Sequence, residues 1–327
     1  MFCFGQKIHI GLILLTAIAM SVTATTFAAE ANWLVDFEKA TEMAKKEGKD
    51  MLLDFTGSDW CTFCIKLERE VFSKDVFVKK IPENFVLVKV DNPRDKSKQS
   101  EAEQKMVETL VAKYSISGFP TILLVDNQGR PYSSLMGYDG ATAEKYVEDL
   151  LNRQEGRKKR DELLAKADAA KAETKAKLLD EALSGIDGER ETILGSYPKV
   201  VDAIIESDSE NKAGLKKKYS ELRANVTFKS QVQQIMRSMT GPQDVAPVTK
   251  KLEDLIAKSK VGGEPRQEAL FFLSQLQFGI DKAKAKSTLQ AAHKAAPKTE
   301  MAAQIQSVLK RFFPDKPAEE KKSEPKK

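Results

Sequence analysis

Cysteine and histidine are scarce in this sequence, which has three cysteines and two histidines among 327 residues. Small disulfide-stabilised scaffolds carry many cysteines, so disulfides do not hold this fold together. Structural zinc takes four ligands, and after the first 30 residues only Cys61, Cys64 and the distant His293 are available. The same scarcity excludes a catalytic cysteine–histidine pair. We therefore expect no metal site and no cofactor.

A large excess of charge of one sign is also missing. Lys and Arg number 53 and Asp and Glu number 48, which leaves a formal net charge of +5 at pH 7. Because the two signs are interleaved along the chain, no nucleic-acid partner is implied. The last segment, residues 314–327, lacks large apolar side chains and is predicted to be a disordered charged tail.

Only one long apolar run occurs, and it lies at the start of the chain. Lys7 precedes an apolar stretch of roughly 13 residues, which suits a signal peptide and is short for a membrane span. Small residues ending at Ala28 predict cleavage there, so residues 1–28 are interpreted as a signal peptide; an uncleaved anchor is the alternative. The mature chain is expected to have no membrane span and to be periplasmic or secreted.

Residues 29–152 are predicted to form a mixed sheet with helices on both of its faces. Apolar runs over 51–55 and 84–90 are typical of buried strands. Two further strands over 121–138 are joined at an Asn-Gln-Gly sequence that indicates a hairpin. Segments with helical spacing separate the strands, and the predicted order is α-β-α-β-α-β-β-α. This alternation is typical of an α/β domain.

The composition changes after about residue 151, and residues 153–313 are predicted to form an all-α helical domain. Residues 153–183 are rich in Lys, Glu and Ala, and Pro and Gly divide the remainder at Pro198, Gly241-Pro242 and Gly262-Gly263. We expect about six helices, arranged as antiparallel hairpins or as a short solenoid. This domain is a possible homodimer interface.

Cys61 and Cys64 are separated by only Thr62 and Phe63. A pair at this spacing can bind metal, close a small structural disulfide or exchange electrons. Its position between a predicted strand and a predicted helix favours electron exchange. The amino end of a helix favours thiolate and lowers a cysteine pKa from about 8.5 to between about 3.5 and 7.5. Cys61 is thus predicted to be the exposed nucleophile, and Cys64, one turn later, to be shielded and to resolve the mixed disulfide.

The sequence LLDFTGSDWCTFC, followed later by GFPTILLVDNQG, resembles the thioredoxin family. It is most similar to the thioredoxin-like branch that includes the periplasmic C-terminal domain of the reductase DsbD, over roughly residues 31 to 152. The resemblance implies a thiol–disulfide oxidoreductase that reduces or isomerises protein disulfides. Its implied partners are disulfide-bearing proteins and a thiol electron donor.

The resemblance also assigns roles to single residues. Cys61 and Cys64 match the redox pair, and Trp60 matches the tryptophan that packs beside it. Pro120 matches a proline whose preceding peptide bond is cis. Trp60, Phe119 and Pro120 are implied to bind substrate, with the backbone of Phe119 pairing with an incoming peptide as an added strand.

Two carboxylates near the pair have alternative roles. Asp54 matches a buried acid that shuttles a proton to the second cysteine, although one extra residue separates it from Cys61; the other reading is a carboxylate that caps the turn. Asp59 is expected to cap the following helix. The residues between the cysteines include no histidine, so we expect a moderately reducing couple.

A different class of function is also compatible with the sequence. The chain could be a scaffold or adaptor whose helical domain binds a partner while the thioredoxin-like part keeps only its shape. The intact cysteine pair and Pro120 argue against this alternative.

Overall fold

The computed structural model describes residues 31–314. The predicted signal peptide and all but the first residue of the predicted tail lie outside this range. The first part of the described chain contains five α-helices and four strands: α1 (Phe37–Glu47), β1 (Asp50–Thr56), α2 (Thr62–Leu67), α3 (Asp75–Asn84), β2 (Phe85–Asp91), α4 (Glu101–Lys113), β3 (Thr121–Val125), β4 (Pro131–Met136) and α5 (Ala143–Asn152). A π-helical segment, Glu68–Phe72, continues α2 toward α3.

The four strands form one mixed sheet in the order β2-β1-β3-β4. β1 and β2 are parallel, while β3 is antiparallel to both β1 and β4. The β3–β4 pair is the hairpin that Asn-Gln-Gly predicts. The α/β class and the mixed sheet are therefore confirmed.

Side chains of β1 alternate between two apolar cores. Met51, Leu53 and Phe55 pack with α1 and α4 on one face of the sheet. Leu52 packs with α2, α3 and α5 on the other face. Because neighbouring residues of a strand point to opposite faces, Asp54 lies on the same face as Leu52. Helices thus cover both faces, and a carboxylate enters the core beneath α2.

The second part of the described chain is entirely helical, but the expectation of about six helices is wrong. Within residues 153–314 there are nine α-helices: α6 (Gln154–Ala169), α7 (Ala172–Ser184), α8 (Arg190–Ser196), α9 (Pro198–Ser207), α10 (Leu215–Arg237), α11 (Val245–Lys258), α12 (Gly263–Phe278), α13 (Lys282–Ala295) and α14 (Glu300–Phe312). The run over 153–183 is broken at Ala170 and Lys171, followed by Ala172 at φ +48°. Ala and Lys favour helix, so the break has no local signal and follows from the packing of α6 on α7.

Two apolar cores hold the helices together. One core joins α6, α7, α8, α9 and the first half of α10. The other joins the second half of α10 with α11, α12, α13 and α14. Among residues 31–314, no helix combines the length and the apolar character needed to cross a bilayer.

A buried polar network attaches α6 to the sheet. The Arg160 guanidinium donates to Asp126 at 2.9 Å and to the Tyr197 hydroxyl at 2.6 Å, and both charged side chains are 1% exposed. The Tyr197 hydroxyl donates to the Pro131 carbonyl at 2.7 Å. Nearby, Arg157 pairs with Asp50 at 2.5 Å. The helical part therefore meets the sheet at the end where β1 begins, while the domain boundary near residue 153 stays a prediction.

Replacing Arg160 with Met is expected to lower the free energy of unfolding by about 3 kcal/mol. Burial alone would raise the pKa of Asp126, but the Arg130 backbone N–H and the Arg160 charge outweigh it and hold that pKa below its ordinary value. Without Arg160 the carboxylate remains buried with less compensation. The loss should lie at the low end of the about 3–5 kcal/mol usual for a broken buried ion pair, because Arg130 still contacts Asp126. Urea unfolding followed by circular dichroism measures the change.

Lys158→Met on the same helix is the matched control. Lys158 is exposed and forms an ion pair with Glu155 at the surface, so the control should stay within about 0.5 kcal/mol of wild type. Equal stability of the two variants would refute the proposed role of the network.

Candidate functional site

The cysteine pair lies where β1 gives way to α2. Cys61 is the N-cap of α2, and its Sγ accepts the Cys64 backbone N–H at 3.2 Å. The two sulfurs are bonded in a disulfide with Sγ atoms 2.16 Å apart. The first sulfur therefore faces the free N–H groups of a helix, as the strand–helix position predicts.

The expected contrast in exposure between the cysteines is wrong for this disulfide form. Cys61 is 6% exposed and Cys64 is 4% exposed. Bonded sulfurs cover each other, and Cys61 folds into the turn as the helix cap. Phe63, between them, is instead 57% exposed.

The turn before the cysteines is held by the loop that follows β2. The Trp60 indole N–H donates to the Asn92 carbonyl at 2.8 Å. Its ring lies so close to Gly57 that a Cβ there would meet it at 2.4 Å, so this position requires glycine. Ser58 donates from both its N–H and its hydroxyl to Asp91.

Asp59 does not cap α2, and that expectation is wrong. Its carboxylate accepts the backbone N–H groups of Arg94 at 2.9 Å and Asp95 at 3.1 Å. These two hydrogen bonds hold the pKa of Asp59 below its ordinary value. The cap position is taken by Cys61, and Asp59 instead links the turn to the next loop.

The Phe119–Pro120 peptide bond is cis, as the resemblance implies. The Phe119 ring packs edge-on against Trp60, with ring centroids 5.6 Å apart. Pro120 is buried, and its carbonyl accepts the Gly137 N–H at 2.8 Å. Within the described residues, neither the N–H nor the C=O of Phe119 has a hydrogen-bond partner. This backbone is available to an added strand.

Asp54 lies on the face of the sheet that α2 covers. Its side chain is 2% exposed, and its Oδ1 atom has no hydrogen-bond partner among the described residues. The alternative in which it caps the turn therefore lacks the bonds it needs. Burial raises the pKa of Asp54 to about 7, with Lys89 opposing the shift and Glu68 adding to it.

An ion pair between Glu68 and Lys89 was not anticipated from the sequence. The Lys89 Nζ atom lies 2.9 Å from Glu68 Oε2, and both charges act on Asp54. Glu68 follows Cys64 by four residues, so helical spacing alone could have suggested it. Lys89 is the β2 partner of Asp54, and that register cannot be read from either strand separately.

Comparison with known proteins finds thioredoxin-like relatives. A thioredoxin-like domain model matches residues 37–153. The Disulfide bond reductase DsbH of Chlamydia pneumoniae is 32% identical over 120 residues, which cover 37% of this chain and 70% of DsbH. The Thioredoxin-related protein DsbJ of the same organism is 24% identical, covering 42% of this chain and 41% of DsbJ. The match to the Thiol:disulfide interchange protein DsbD of Yersinia pestis (strain Pestoides F) is 27% identical and covers 34% of this chain and 17% of DsbD.

Solved structures give a similar set. A structure of DsbH oxidoreductase is 26% identical, with a TM-score of 0.37, and covers 42% of this chain and 94% of that chain. The oxidised C-terminal domain of Neisseria meningitidis DsbD is 20% identical, with a TM-score of 0.28, and covers 38% of this chain and 99% of that domain. The sequence relatives support a thiol–disulfide oxidoreductase kind of activity. On the domain match and the coverage of DsbH, this chain belongs to the thioredoxin-like family.

Proposed function

We propose that this protein is an exported thiol–disulfide oxidoreductase that reduces or isomerises disulfides in polypeptide substrates. The observation that carries the proposal is the Cys61 sulfur at the amino end of α2, in a turn whose Trp60 packs against the ring of Phe119. The backbone N–H and C=O of Phe119 have no hydrogen-bond partner within the described residues. Export rests on residues 1–28, which lie outside the described part of the chain.

The reaction exchanges disulfide bonds in two steps. In the reduced protein, the Cys61 thiolate attacks one substrate sulfur, forms a mixed disulfide and releases the other substrate sulfur as a thiolate. The Cys64 thiolate then attacks Cys61 Sγ, which closes the Cys61–Cys64 disulfide and releases the second substrate thiolate. Two electrons pass to the substrate, and an external dithiol donor must return them.

Asp54 is proposed to take the proton that Cys64 loses before its attack. Its pKa of about 7 makes it partly ionised near neutral pH, where a general base works best. Glu68 lies one helical turn after Cys64, and both Glu68 and Lys89 act on Asp54. Asp54 is therefore close to Glu68, a residue on the same helical run as the second cysteine.

The surface near the pair favours a polypeptide disulfide as substrate over a small-molecule disulfide. Phe63 and Met136 are each 57% exposed. Met136 approaches Gly118, which precedes Phe119 and Pro120. Large exposed apolar side chains beside a free backbone edge are typical of protein-binding sites.

Replacing Cys64 with Ser is expected to trap the mixed disulfide on Cys61, because no second thiol remains to release it. The probe is scrambled ribonuclease A, incubated with the pre-reduced variant and resolved on non-reducing gels. The expected adduct is at least about tenfold more abundant than with wild type, since resolution within a helical turn is intramolecular.

Cys61→Ser is the matched control and should form no adduct, because it removes the sulfur at the N-cap of α2 that is proposed to attack the substrate. If Cys64→Ser formed no adduct either, the redox proposal would be refuted. The adaptor alternative, with binding through the helical part, would then be favoured.

Replacing Asp54 with Asn is expected to stabilise the oxidised protein at neutral and alkaline pH. The pKa of Asp54 is about 7 when folded and about 3.9 in an unfolded chain. Between these values the unfolded chain loses this proton while the folded protein keeps it, so this group lowers wild-type stability as the pH rises from about 4 to 7. The full effect is roughly 4 kcal/mol. Urea unfolding measures the gain in free energy of unfolding of Asp54→Asn over wild type. This gain should be near zero at pH 3.5, intermediate at pH 5.5 and complete at pH 8.

Two further measurements separate burial from catalysis. Asp75→Asn at the surface is the control and should change stability by less than about 0.5 kcal/mol at each pH. The proton role predicts that Asp54→Asn slows release of the second substrate thiol at pH 8 by about tenfold or more. An unchanged release rate would contradict that role, and an equal stability gain at pH 3.5 and pH 8 would contradict the raised pKa.

A further inference from the structure

A cleft of about 550 Å³ separates the end of α4 and the chain that follows it from the helical part. Ser115 and Ser117 line one wall. Helices α8, α10 and α12 supply the opposite wall, which includes Gly195 and Phe272. The cleft therefore combines surfaces from both parts of the protein.

The segment that lines the cleft leads along the chain to the backbone beside Trp60 and Pro120. Ser117 lies three residues before Pro120, so their Cα atoms are at most about 11 Å apart. Within residues 31–314, the backbone N–H groups of Ser117, Gly118 and Phe119 donate no hydrogen bond, and the Ser117 and Phe119 carbonyls accept none. An unpaired edge of this kind binds an extended chain through main-chain hydrogen bonds.

The charges of the lining are balanced. Three basic and three acidic side chains line the cleft: Lys113, Lys229, Arg237, Glu189, Glu191 and Glu268. Lys229 and Glu191 pair at 2.7 Å. A phosphate-rich or strongly charged ligand would meet no net opposite charge here, whereas a polypeptide backbone of mixed sequence finds donors, acceptors and apolar contacts.

We propose that this cleft binds the extended segment that flanks the substrate cysteine. The inference rests on the proposed function. A substrate strand pairs with Ser117–Phe119 while its cysteine meets Cys61, and the chain then continues between α4 and the wall formed by α8, α10 and α12. The helical part thus supplies the second half of a binding channel for unfolded, disulfide-bearing polypeptide.

Gly195 is a position at which a bulky side chain can be introduced to fill the cleft. It lies in α8, it is exposed, and a Cβ built on it has no atom within 4 Å. Gly195→Trp should therefore obstruct the cleft, while Gly195→Ala leaves it open. Gly156→Trp on α6 is the bulky control, because that position is also open and exposed but does not line the cleft.

The substrates are capped tripeptides with a central cysteine disulfide-linked to 2-mercaptoethanol, and the same peptides lengthened by eight neutral residues at one end or the other. Eight extended residues span about 26 Å. The pre-reduced full-length protein reacts in single turnovers, and released 2-mercaptoethanol is measured. Because a paired strand has a direction, only one of the two extensions can enter the cleft.

We expect one extension to raise the second-order rate constant about tenfold over the tripeptide and the other to leave it within about twofold. Gly195→Trp should return this ratio to near 1, while Gly195→Ala and Gly156→Trp keep it. Equal rates for all three wild-type substrates, or an undiminished ratio in Gly195→Trp, would overturn the cleft proposal and leave the redox function standing. Failure of the wild type to reduce any of the peptides would overturn both.

Discussion

The amino end of α2 meets the carboxyl end of β1, and the chemistry of this protein depends on that junction. β1 is buried along its whole length between two helical layers, so its end has little freedom. The turn that follows is anchored by Trp60 and Asp59 to the loop after β2. As a result, the Cys61 sulfur is held at the free N–H groups of a helix, where negative charge on sulfur is favoured.

A second constraint lies on the face of the sheet that α2 covers, where a carboxylate is kept inside an apolar core. Asp54 cannot reach water and has no partner for its Oδ1 atom among the described residues. The core therefore favours its neutral form, while Lys89 moderates that preference from the neighbouring strand. The stability lost by burying this acid is the physical basis of its proposed use as a base. A well-packed apolar residue at this position would give a more stable protein without the proposed base.

The helical part is held at the other end of β1. Asp50 and Asp126 lie at that end, paired with Arg157 and Arg160 of α6, about 20 Å from the turn that carries the cysteines. Buried charge pairs tolerate little displacement, because a lost partner leaves an uncompensated charge. The helical part, which supplies one wall of the cleft beside Ser117, is attached to the sheet through these pairs.

Local patterns in the sequence were enough to determine much of this protein. The short apolar run of β1, the position of Cys61 and Cys64 at a strand–helix turn and the hairpin after Val125 each depend on neighbouring residues, and all appear in the structure. The resemblance around Pro120 added the cis bond. What only the tertiary structure decided are pairings between distant segments: Lys89 beside Asp54, Asp59 on the loop at Arg94, and Arg160 on Asp126. The division of residues 153–314 into nine α-helices was also decided by the tertiary structure. The break at Ala170 has good helix formers on both sides. The physical reason is that apolar runs and turn residues are encoded locally, residue by residue. Strand register and long-range charge pairing are determined only when the whole chain packs.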